Sequence, residues 1–336
     1  MADESDEHGR MNVSPEILSD LKDLFSGPGP SILFERMEQV NTVGLDSILH
    51  GIDMDTRIQL LSIDDGMLYK AMKVLLVSSK VWGGKFDLIS VGSRGAVFYD
   101  GSQVWKCSIS APEEARLLEK VEEAYKGSQK NVIRSKGPVV NEIILPIEYV
   151  EGRTLESSIG SATLSPGLYQ RISADVFNGL TELKKAGIYH RDIRPSNILL
   201  DETKDRAVII DLGDATDNPD AIPICNRRYG GSDLLSLGQV MYKMATGHNL
   251  FNEFGKPSIE AADEIEKLRK SFCEDPLLQE NYFHKVCKDV NDRWMSEGIR
   301  LCLAAGLGIG DKQLSCPQEI RDAAYAEVRQ YFEVNR

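Results

Sequence analysis

Residues 189–200 read Tyr189-His-Arg-Asp-Ile-Arg-Pro-Ser-Asn-Ile-Leu-Leu200, and residues 208–213 read Val208-Ile-Ile-Asp-Leu-Gly213. Just upstream, Ile172, Val176, Leu180 and Leu183 recur at i, i+4, i+8 and i+11, an apolar stripe on one helix face. A helix therefore runs into a polar turn, and an apolar strand then leads to a second acidic residue. Asn197 lies five residues after Asp192, and Asp211 lies fourteen after Asn197. A lone Asp and Asn at such spacing usually cap local backbone in a surface turn. The full run of residue types, followed by an apolar strand and Asp-Leu-Gly, is too specific for that bland reading.

On either side, the hydrophobic period divides the chain. Phe86–Val91, Ala96–Tyr99, Gln103–Ile109 and Ile143–Tyr149 are short runs rich in β-branched and aromatic residues, as strands require. Asp100-Gly101 between the second and third runs is a hairpin signal, because type I′ turns want residues that tolerate positive φ. After Gly152 the pattern is helical. Leu234, Leu237, Met241 and Met244 form a second stripe ended by Gly247, and Ile320–Phe332 forms a later one. Before residue 86, Ser14-Pro15-Glu16 reads as a helix start with Ser at the N-cap and Pro at the first helical position. Further helical patterns continue to Gly83-Gly84, and none of them holds recognisable chemistry. The expected fold class is α+β, with a small β-rich part followed by a large helical one.

Composition narrows the function classes. The 336 residues suffice for one two-lobed domain or two ordinary ones. A net charge of −13 argues against non-specific nucleic-acid binding, which needs cations to displace phosphate counterions. No apolar run approaches the roughly 18–20 residues of a membrane span, and the acidic start lacks the features of a secretory signal. Cys107, Cys225, Cys273, Cys287, Cys302 and Cys316 are scattered without a C-x-x-C pair, which suits free thiols in a reducing compartment better than disulfides or structural zinc. A cytoplasmic protein is expected, with the nucleus also open.

The pattern around Asp192, Asn197 and Asp211 resembles the catalytic loop HRD-x-x-x-x-N and the DFG motif of eukaryotic-type protein kinases. The resemblance covers residues 86–250, about half the chain. It implies a two-lobed protein-kinase-like fold: a helical N-terminal extension over 1–85, an N-lobe over 86–150 and a C-lobe over 151–336. It further implies ATP and magnesium as cofactors and a protein hydroxyl as acceptor. Asp192 would orient the acceptor hydroxyl and take its proton. Asn197 and Asp211 would hold magnesium, and Arg194 would neutralise the γ-phosphate. Gly92, Gly95 and Val97 match the glycine-rich phosphate loop G-x-G-x-x-G-x-V, with Ser90 in place of its first glycine. Lys106, inside an apolar strand run, matches the lysine that holds the α/β-phosphates. Its partner would be Glu114, with Glu113 and Glu119 competing, and the gap of eight residues after Lys106 is short for the family. Ile147, Glu148 and Val150 match the hinge that binds adenine. Asp233 would accept backbone N–H groups of the catalytic loop.

Two departures affect what the resemblance implies. Leu212 replaces the Phe of DFG and keeps the position apolar. Asp211 and Asp233 lie 22 positions apart with no Ala-Pro-Glu between them, so the activation segment is short. Arg191, which in the family commonly pairs with a phosphorylated residue, has Thr216, Tyr229 and Ser232 within reach in sequence, beside Arg227 and Arg228. A short loop loses less entropy on ordering, so activity without loop phosphorylation is expected. The extension would then regulate, binding the lobes or a partner. Two rivals remain at this point: a pseudokinase scaffold, and a small-molecule kinase of the same fold.

Overall fold

The computed structural model describes residues 87–92, 95–140, 142–159, 165–218, 233–250, 267–268, 270–271, 274–288, 290, 293–307 and 317–334. The expected extension over 1–85 lies outside them. The chain divides into two compact units, the first reaching to Arg116 and including Arg134–Tyr149, the second comprising Leu117–Ile133 and Val150 onward.

The first unit is an antiparallel sheet of β1 (Asp87–Gly92), β2 (Gly95–Tyr99), β3 (Val104–Ser108) and β4 (Ile144–Ile147), in that spatial order. Strand β2 alternates as a half-buried strand must: Ala96 and Phe98 are fully buried, while Gly95, Val97 and Tyr99 are partly exposed. The β2–β3 hairpin is not closed by a two-residue turn. It is a four-residue loop in which Tyr99 pairs with Val104. Gly101 takes φ 92°, and Asp100 Oδ1 accepts from Ser102 N, Ser102 Oγ and Gln103 N while Oδ2 accepts from Trp105 Nε1. The Asp side chain, rather than two left-handed residues, shapes the reversal. Helix α1 (Ala111–Tyr125) follows β3, and the division between units falls inside it.

The second unit is mainly helical, with a three-stranded antiparallel sheet of β5 (Gly152–Thr154), β6 (Ile198–Asp201) and β7 (Arg206–Ile209). Its helices are α2 (Leu155–Ile159), α3 (Pro166–Lys185), α4 (Asp233–Thr246), α5 (Pro276–Cys287), α6 (Arg293–Gly306) and α7 (Pro317–Val334). Ser165 caps α3, its Oγ accepting from Leu168 N, with Pro166 at the first position. All four residues of its apolar stripe are buried, as are Leu234, Leu237, Met241 and Met244 of α4. Helices α4 and α6 approach closely because Gly306 has no side chain: a Cβ there would lie 2.3 Å from Leu235 N. Among the described residues no helix is long and apolar enough to cross a membrane. Cys107, Cys287 and Cys302 are free thiols, and burial pushes all three pKa values up.

Candidate active site

In the second unit the polar turn after α3 is held from below by α4. Asp233, the first residue of α4, is buried and accepts from two consecutive amides: His190 N at 3.0 Å and Arg191 N at 2.8 Å. A carboxylate at a helix N-terminus is also favoured by the helix dipole. The His190 ring is fully buried. Its Nδ1 accepts from Asp192 N at 3.2 Å, which places the proton on Nε2, 3.1 Å from Ile210 O. His190 therefore links the turn to the residue preceding Asp211.

These ties hold an unusual backbone. Arg191 and Asp211 take φ values of 67° and 64°, a region non-glycine residues seldom occupy. The turn presents Asp192, which is 2% exposed. Asn197 closes a short 3₁₀ turn (Pro195–Asn197) and donates from Nδ2 to Asp192 Oδ2 at 2.8 Å and to Asp192 O at 2.9 Å. The Asn197 carbonyl accepts from Ile210 N at 3.0 Å, which brings Asn197 beside the approach to Asp211. Asp211 Oδ1 accepts from Gly213 N, and Leu212 is fully buried. Arg194 is half exposed, its Nε 3.5 Å from Asp192 Oδ2. Asp192, Asn197 and Arg194 thus form one cluster, and Asp211 follows directly after the residue bonded to Asn197.

In the first unit Lys106 lies mid-strand, paired with Val97 of β2 and Leu145 of β4. Its Nζ is 2.6 Å from Glu114 Oε2, with the carboxylate 1% exposed. Glu114 sits in the first turn of α1, where Glu113 instead pairs with Arg116 at 2.6 Å and Glu119 is exposed. Gly92 and Gly95 face each other where β1 meets β2. A Cβ at Gly95 would lie 2.0 Å from Cys107 O, so the strand admits only glycine there. Ile147 ends β4, and Glu148 is buried with its N donating to Arg134 O. Val150, also buried, begins the second unit's share of this stretch.

Sequence reading missed a brace beneath Asp211. Residues 131–133 run alongside β7, with Ile209 N donating to Asn131 O and Ile133 N to Ile209 O. Asn131 Nδ2 donates to Ala207 O at 2.8 Å. The buried Glu182 carboxylate of α3 accepts from Lys130 N and Asn131 N, and desolvation raises its pKa against the pull of those donors. Nothing in the local pattern of 127–133 signals this role.

The protein kinase domain family model matches residues 100–222, a stretch that holds Lys106, Glu114 and the whole Asp192–Asp211 cluster. This stretch is similar to protein kinase domains. Mitogen-activated protein kinase kinase 7 of Arabidopsis thaliana is 30% identical over 121 residues, covering 35% of this chain and 36% of that relative. Mitogen-activated protein kinase kinase 9 of the same plant is 28% identical over 159 residues, covering 40% and 50%. Wee1-like protein kinase 2 of Mus musculus is 24% identical over 240 residues, covering 66% and 39%. The chain spans between about a third and half of the length of these curated relatives. The segment after Asp211 is described to Asn218; Tyr229, Ser232, Arg227 and Arg228 lie outside the described residues. Thr216 pairs with Tyr189 through two backbone hydrogen bonds of 2.8 and 2.9 Å.

Proposed function

We propose that the chain transfers the γ-phosphoryl group of ATP, with magnesium, to the hydroxyl of a protein Ser, Thr or Tyr residue. The observation that supports this most directly is the Asp192–Asn197 pair: a buried carboxylate oriented by an amide that donates to it and to the backbone carbonyl of the same residue.

Magnesium prefers hard oxygen donors, commonly one or two protein carboxylates completed by substrate phosphates. Asn197 and Asp211 fit such an ion. With Nδ2 engaged by Asp192, the Asn197 amide oxygen is the end left for a cation, and Asp211 adds a carboxylate. When bound, the ion neutralises charge on the phosphate oxygens of the nucleotide. Asp192 orients the acceptor hydroxyl and takes its proton at the carboxylate. Arg194, half exposed beside it, offers its guanidinium to the γ-phosphate. Lys106, its ammonium fixed by Glu114, holds α- and β-phosphate oxygens. Gly92, Gly95 and Val97 supply backbone that phosphates can approach, and Ile147, Glu148 and Val150 receive the adenine.

The relatives are named as protein kinases, which supports a protein acceptor. We assign residues 86–150 and 151–336 as the two lobes and residues 1–85 as an extension that binds the lobes or a partner. Free thiols at Cys107, Cys287 and Cys302 suit a reducing, cytoplasmic setting.

The test is transfer of labelled phosphate from ATP by the full chain with magnesium, offered protein and small-molecule acceptors in parallel. Label on protein that disappears in Asp192→Ala is the expected result. Label on small molecules alone would replace the acceptor class. Absence of both transfer and a magnesium-dependent nucleotide thermal shift would leave the scaffold reading.

A further inference from the structure

Asp217 stands six residues after Asp211, one beyond the Tyr189–Thr216 bridge. Its Oδ2 lies 2.7 Å from Nζ of Lys120 on α1, a residue 97 positions away in sequence. Both residues belong to the second unit. Residues 211–218 have internal bonds, Ala215 N to Leu212 O and Asn218 N to Thr216 Oγ1. Their ties to the rest of the second unit include the backbone bridge to Tyr189 and the ion pair to Lys120.

The position of that pair gives it a role. Asp211 occupies a left-handed backbone conformation that persists only while its surroundings hold it. A tie near Asp211 cannot restrain the far end of the stretch, whereas Asp217 is anchored just past the bridge. The anion at that end is a carboxylate built into the chain, present without any modifying enzyme. Its partner is a lysine on a helix that packs Leu117, Leu118 and Val121 into the interior, so the cation is presented from a fixed base. The two side chains are 38% and 27% exposed. An ion pair so placed is modest in strength and screened by salt, which suits a latch that can open.

We propose that the Lys120–Asp217 ion pair is the latch that holds residues 211–218 in this arrangement, which makes Lys120 and Asp217 positioning residues for Asp211. Its catalytic consequence rests on the phosphotransfer reading above; its structural consequence does not. Lys120→Glu, Asp217→Lys, the combined swap and Lys120→Arg in the full chain separate the two. Amide hydrogen exchange is followed at Tyr189 and Thr216, whose N–H groups close the bridge, with Ile172 to Leu183 of α3 as the internal reference. In Lys120→Glu and in Asp217→Lys the bridge amides exchange about fivefold faster or more, with the reference unchanged. The swap and Lys120→Arg return them toward the original rate. For phosphoryl transfer, kcat falls with the same ranking and is restored in the swap, while KM for ATP moves little. Unchanged exchange at Tyr189 and Thr216 in both charge reversals, or a swap that restores nothing, overturns the latch. If the unmodified chain transfers no phosphate, the functional reading alone fails and the exchange data still decide the latch.

Discussion

Asn197 donates to Asp192 twice, to the carboxylate at 2.8 Å and to the backbone carbonyl at 2.9 Å. One side chain thus fixes both the rotamer of Asp192 and the shape of the turn that presents it. Because both residues are more than nine-tenths buried, removing the amide leaves a carboxylate without its orienting donor in a site that solvent barely reaches. Asn197→Ala should lower kcat by about 100-fold, within the range that a positioned acid–base group contributes. Asn197→Asp should be at least as damaging, since it sets two carboxylates against each other. Steady-state transfer assays with circular dichroism as a fold control check this; activity within threefold of the original in Asn197→Ala would contradict it.

Lys106 and Glu114 give a different signature. The Glu114 carboxylate is 1% exposed and 2.6 Å from the ammonium, so breaking the pair from one side leaves a buried charge uncompensated. Such one-sided cuts typically cost about 3–5 kcal/mol. Lys106→Met should therefore both lose nucleotide affinity and lower the melting temperature of the first unit. Lys106→Met combined with Glu114→Leu should recover stability without recovering nucleotide binding. Thermal melts with and without magnesium and nucleotide distinguish the two effects, and equal stability of the single and double variants would disprove the burial argument.

The parts legible in the sequence are those whose chemistry fixes residue type at short spacing. Asp192, Asn197 and Asp211 stand within twenty residues, and the amphipathic stripes of α3 and α4 announce helices whose buried faces are the ones observed. What stayed hidden is long-range. Asn131 bonds a carbonyl 76 residues away and Lys120 a carboxylate 97 away, and neither partner alters the local periodicity. Strands β5 and β6, of three and four residues, are too short for alternation to show. Asp100-Gly101 marks the hairpin in the sequence, yet the turn type does not follow from that pair, because the Asp side chain, with several local donors available, competes with backbone torsion as the organising element.

The β6–β7 turn supplies a pH test. Burial raises the Asp201 pKa, but donation from Thr203, Lys204 and Arg206 outweighs it, and the carboxyl titrates below its ordinary 3.8. A depressed native pKa means the unfolded chain binds the proton more readily. The stabilisation is therefore present above the unfolded value and is lost as pH falls through the lower native one. In urea unfolding between pH 7 and pH 3, the original chain should lose more stability on acidification than Asp201→Asn, with the two curves converging at the acid end. Parallel curves would remove Asp201 from the acid-sensitive groups.

The last test concerns the strained turn itself. Asp233 accepts from His190 N and Arg191 N, and Arg191 is held at φ 67° immediately after the first of these bonds. Asp233→Ala leaves two amides without this acceptor, at about 1–3 kcal/mol for each buried group left unsatisfied. It also removes an acidic residue from the first turn of α4, worth a further ~0.3–1 kcal/mol. For a domain of this size each kcal/mol shifts the melting temperature by roughly 2–4 °C, so a fall of at least about 5 °C is expected. The turn can then relax Arg191 out of its left-handed region, which moves Asp192 one residue further on. Activity should consequently fall more than the loss of folded protein explains, even at temperatures where the variant is fully folded. Asp233→Asn keeps one oxygen acceptor and should sit between the two. If Asp233→Ala is as stable and as active as the original chain, the anchoring of this turn from α4 is wrong.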